Sequence, residues 1–119
     1  MKNFKNMKVW EKAHALTLGT YMITKEYPKD ETYGIVSQMR RSASSIATNI
    51  AEGCGRYTDA DYARFIVYSM GSANELEYQF ILSQDLKYIN QKQYNVLDIQ
   101  INEIKKMLVG LHKKLTGKT

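Results

Sequence analysis

The chain has 119 residues, 44% of them hydrophobic and 24% charged, with a formal net charge of +5. That length supports one domain with a real core, and no apolar run approaches the roughly 20 residues of a membrane span. The single cysteine, Cys54, excludes an internal disulfide framework, and the charged opening segment lacks the apolar stretch of a secretory leader, so a reducing, cytoplasmic setting is expected.

Val9, Ala13, Leu16, Thr20, Ile23 and Tyr27 recur at steps of three and four, which predicts a first helix over residues 9–26 with Trp10 on its flank. Tyr27-Pro28 closes it, because the residue before proline is pushed out of the helical region. A second helix is predicted over 31–52, opened by Asp30 and striped by Ile35, Met39, Ser42 or Ala43, Ile46 and Ile50. Gly53-Cys54-Gly55 ends it, with Gly53 as a left-handed cap and Cys54 as an exposed turn thiol. A third helix, 59–85, follows Thr58-Asp-Ala-Asp61, a capping box with aspartate in place of glutamate. Its core line is Tyr62, Ile66, Ser69, Ala73, Leu76 and Phe80. A second apolar line, Val67, Met70, Tyr78 and Ile81, is surplus to one core and suggests self-association. The fourth helix, 91–115, opens on a cap in which Asn90 and Gln93 reciprocate, and Leu97, Ile101, Ile104, Leu108, Leu111 and Leu115 form its seam.

Nothing competes as a strand, so the expected fold is all-α: an antiparallel up-down-up-down four-helix bundle filling residues 1–119 as one domain. Small residues crowd the second helix (Ser42 to Ser45, Ala47) and recur at Gly71-Ser-Ala73 on the third. These patches let the two axes approach closely. The short turn between the helices predicts Ile46 beside Phe65 and Ser42 beside Ser69.

The charge is distributed unevenly. Residues 1–8 and 105–119 carry three and five lysines and no acid, while the span between them holds all twelve acidic residues. In an even-numbered antiparallel bundle both chain ends and the second interhelical turn share one pole. Lys2, Lys5, Lys8, Arg56, Lys113, Lys114 and Lys118 would then form a basic end, with Tyr57 available to stack a base. Such an end suits RNA or DNA, bound with little sequence preference and steep salt dependence. Arg40 and Arg41 are expected to meet carboxylates, with Glu75 and Glu77 as partners across the pair of helices or between subunits, and with phosphate as the alternative. Glu52 joins these as a candidate interface group. Tyr21, Tyr33, Tyr68, Tyr78 and Tyr88 suit contacts between subunits or half-buried packing.

Catalytic and metal chemistry find little footing. Glu11-Lys-Ala-His14 is half of a di-iron pattern without its second half, and His14 with His112 cannot close a site. Cys54 lacks a recognisable catalytic setting, and there is no phosphate loop or dinucleotide fingerprint. No cofactor, no metal, no small-molecule substrate and no enzymatic activity are therefore expected.

Lys8-Val-Trp-Glu-Lys-Ala13, Thr24-Lys-Glu-Tyr-Pro28, Gln38-Met-Arg-Arg41, Ser45-Ile46, Asn49-Ile-Ala-Glu-Gly53, Arg56 and Gly71-Ser-Ala-Asn-Glu-Leu-Glu77 occur in this order. Together they resemble the 23S rRNA intervening-sequence protein family of small bacterial four-helix bundles. The likeness covers most of the chain and is weakest in the fourth helix. A related branch, the accessory variability protein of diversity-generating retroelements, is a basic homopentamer that binds nucleic acid and a reverse transcriptase. The resemblance implies a bundle, a homopentamer and no enzymatic chemistry, with a looser implied link to RNA or DNA. The acidic balance of the chain's middle fits a retroelement-type role less well.

Overall fold

The computed structural model describes residues 3–118, so Lys2 lies outside the described residues. Four helices account for most of it: α1 (Lys8–Thr24), α2 (Ser37–Cys54), α3 (Asp59–Asp85) and α4 (Gln91–Thr116). Helix α2 packs on both α1 and α3, α4 packs on α3, and a lighter α1–α4 contact closes the ring of helices. The bundle is 44 Å long and 25 × 20 Å across, a length that α3 nearly spans by itself at about 1.5 Å per residue.

The predicted stripes are the core. Ala13, Met39, Ile46, Ile50, Ile66, Ala73, Leu76, Phe80, Ile101, Ile104 and Leu108 are all at most 1% exposed. The buried threonines of α1 donate to carbonyls of their own helix. Thr20 Oγ1 donates to the Leu16 carbonyl at 2.8 Å, and Thr24 Oγ1 to that of Thr20 at 2.7 Å. Thr17 Oγ1 serves both its own helix, at Ala13 O, and α2, at Ala43 O. Ser69 Oγ donates to Ile46 O at 2.8 Å, and Ser72 to Ser45 Oγ at 2.9 Å. These two bonds set the α2–α3 register. The small patches do coincide, but Ser69 lies beside Ile46 rather than Ser42, a slide of about one turn. Part of this slide comes from α2 running two residues further than expected, to Cys54.

Helix ends follow capping chemistry where the sequence supplied a capping side chain. Thr58 accepts from Asp61 N, and Asn90 and Gln93 form the reciprocal box. Gly117 ends α4 in the left-handed region at φ 70°. The start of α2 departs most from expectation. Residues Lys29–Glu31 make a tight single turn and Thr32–Val36 a wide one, interrupted at Gly34 by non-helical angles (φ −106°, ψ −118°). Asp30 is therefore not the cap of α2, which begins at Ser37 without a side-chain cap. Gly53 is not left-handed either; Gly55 terminates α2 at φ −88°. What requires glycine at 53 is proximity, since a Cβ there would lie 2.9 Å from Tyr62 Cδ1 and 3.0 Å from Phe65 Cβ. Cys54 is buried, not exposed. No helix among the described residues is long and apolar enough to cross a membrane.

Candidate functional site

The antiparallel topology brings the start of α1, the α2–α3 turn and the end of α4 to one pole. Tyr62 Oη, at the start of α3, donates to Met7 Sδ at 3.4 Å, just ahead of α1. Lys5, Lys8, Lys113, Lys114 and Lys118 are exposed there. Arg56 is compromised as a free cation. It sits 3.9 Å from Glu52 and 3.7 Å from Asp61, and its guanidinium lies 4.4 Å over the Phe65 ring. Tyr57 beside it is 99% exposed. Burial first, and the adjacent Cys54 second, push the Tyr62 hydroxyl up to about 12.

The outward face of α3 carries the surplus apolar line. Val67, Tyr78 and Ile81 are exposed, whereas Met70 turns inward against the core. Gly71 is also exposed, and it has no side chain with which to screen the apolar ridge. On another side of the molecule, Phe4, Trp10 and His14 rise above Ala47, Thr48 and Ala51 of α2 and enclose an apolar hollow of about 450 Å³. The Trp10 and His14 rings stack at 5.1 Å. Among the described residues no three His, Cys, Asp or Glu side chains converge as metal ligands would.

The arginines go elsewhere than expected within the chain. Glu77 pairs with Lys105 at 2.7 Å, tying α3 to α4. Glu75 is exposed with no ion pair among the described residues. Arg40 crosses to α1, where its Nε donates to Thr24 Oγ1 at 3.0 Å, one Nη donates to Tyr21 O at 3.3 Å, and its guanidinium covers the Tyr21 ring at 4.7 Å. Arg41 is exposed. Both arginines line a cleft of about 450 Å³ with Tyr21, Tyr33, Ser37 and Ser44. Tyr88, expected at a subunit contact or in half-buried packing, is half-buried against the core and Tyr27, and it donates to Glu31 Oε2 at 2.7 Å, a bond that is the main reason its pKa rises. The arginine pair and both tyrosines were visible in the sequence as separate features. The turns over Lys29–Val36 set the α1–α2 register, and that register brings Tyr21 and Thr24 to Arg40.

A model of the 23S rRNA-intervening sequence protein family matches residues 5–110. A crystal structure of a protein of unknown function from the S23 ribosomal protein family of Bacteroides thetaiotaomicron VPI-5482 superposes with a TM-score of 0.80 at 26% identity, covering 88% of this chain and 98% of that one. No curated protein matches the chain. The family match takes in all of α1, α2 and α3 and most of α4, and the solved relative shares the same bundle, so the chain belongs to the 23S rRNA-intervening sequence protein family.

Proposed function

We propose that this protein acts by association rather than catalysis, as a helical scaffold whose copies close into a homopentameric ring. The observation that carries this reading is the exposed ridge of Val67, Tyr78 and Ile81 on α3 (48%, 59% and 40% exposed). A single core has no use for that ridge, and apolar area of this kind marks an interaction surface. A ring needs two different complementary faces on each copy, and the hollow beneath Trp10 is a face of the second kind. The number five comes from the family resemblance. Light scattering coupled to gel filtration tests the reading. Wild type should run near five times the 13.7 kDa chain mass, and Val67→Glu with Ile81→Glu should yield helical monomers. A wild-type monomer at micromolar concentration overturns it.

A second reading rests on the exposed lysines at positions 5, 8, 113, 114 and 118. Repeated around a ring, they form a positive field suited to RNA or DNA in an accessory role. Fluorescence polarisation with single-stranded probes should show affinity that falls by about tenfold or more between low and moderate salt. The absence of binding at tens of micromolar protein in low salt removes this reading and leaves the scaffold untouched.

A further inference from the structure

Of the four arginines, Arg56 and Arg64 each lie against Asp61. Among the described residues no carboxylate stands within ion-pair distance of Arg40 or Arg41. Glu31, just ahead of α2, is held by Tyr88, and among the described residues the exposed Glu26 and Asp30 form no ion pair. The helical run that leads into α2 starts at Lys29 and carries Asp30 and Glu31 in its first turn, so the positive charge of the cleft comes from the two arginine side chains themselves.

The cleft is built rather than incidental. Arg40 is half-buried and fixed by Thr24, the Tyr21 carbonyl and the Tyr21 ring, with donors left over. A planar guanidinium fork suits phosphate oxygens in a two-bond grip. Ser37 and Ser44 lie on the same wall, the Ser44 hydroxyl donating to the Arg41 carbonyl at 3.2 Å. The kink at Gly34 leaves the Tyr33 ring 96% exposed at the rim, and an aromatic face held clear of the protein is a platform for a base.

We infer that this cleft binds a nucleotide phosphate, with Arg40 and Arg41 gripping the phosphate and Tyr33 stacking on the base. The two guanidiniums and the adjacent exposed Tyr33 ring together favour a phosphate that carries a planar base. The site lies between α1 and α2 and depends on neither the α3 ridge nor the lysine-rich pole.

Calorimetric titration at low ionic strength with inorganic phosphate, adenosine, 5′-AMP and a short oligoadenylate lacking terminal phosphates tests it. 5′-AMP should bind and adenosine should not. Arg41→Gln, an exposed change that leaves the fold alone, should weaken 5′-AMP by about tenfold or more, and Arg40→Gln should do the same. Tyr33→Leu should weaken 5′-AMP by about tenfold while leaving inorganic phosphate unaffected. Tighter 5′-AMP than oligoadenylate identifies a free nucleotide, and the reverse identifies a strand; either supports the site. The inference is overturned if 5′-AMP does not bind at millimolar concentration, if adenosine matches it, or if Arg41→Gln binds it as wild type does. It is equally overturned if Arg41→Gln dissociates an oligomer that binds no 5′-AMP, which would give the arginines to a neighbouring copy.

Discussion

Replacing Gly53 by alanine tests the account of the α2–α3 contact most directly. Gly53 is buried in the last turn of α2, and the added methyl would stand 2.9 Å from Tyr62 Cδ1 and 3.0 Å from Phe65 Cβ. Neither neighbour can yield cheaply. Tyr62 is 4% exposed, and its hydroxyl reaches Met7. The Phe65 Cβ is fixed to the backbone of α3, and its ring carries Arg56 and Arg64 at 4.4 and 5.3 Å. Overpacking of this kind costs about 1–3 kcal/mol. Alanine returns about 0.5–1 kcal/mol of helix propensity, so the middle of the two ranges gives a net loss of about 1 kcal/mol. Gly19, exposed on α1 with nothing within 4 Å of an added methyl, is the matched control, and Gly19→Ala should gain about 0.5–1 kcal/mol. Urea denaturation at fixed protein concentration, followed by circular dichroism, reads both. The midpoints should move in opposite directions with unchanged slopes. A Gly53→Ala protein as stable as wild type would refute the close-approach argument.

Asn90→Ala removes the reciprocal cap of α4 and should cost about 1 kcal/mol in the same assay. Ser69→Ala deletes the buried bond to Ile46 O and should cost about 1 kcal/mol, with no change in helix content. Tyr62 governs an alkaline transition. Its folded pKa of about 12, against the ordinary 10.0, means the folded state holds the phenolic proton more tightly. The associated stability is complete below pH 10 and disappears as pH rises from 10 towards 12, a change of at most about 2–3 kcal/mol. Tyr62→Phe should flatten that part of the stability–pH curve; an equally steep fall in the variant would assign it to other groups.

The amino-acid sequence alone determined the four helices, their core faces, the caps at Thr58 and Asn90 and the surplus apolar line on α3. Each is a local pattern of periodicity or capping chemistry, carried by residues within a few turns of one another. Tertiary packing decided the rest. Gly53 reads locally as a cap, but the need for glycine there is set by how near Tyr62 and Phe65 come. The pattern could not reveal that α2 starts at Ser37, because Asp30 and Glu31 look like a helix opening until Tyr88, 57 residues further on, draws Glu31 into its own hydrogen bond. Arg40, Arg41 and Glu77 are each plausible halves of an ion pair in the sequence. Which charge meets which depends on the register and rotation of separate helices, and these are fixed by core contacts between residues far apart in the chain.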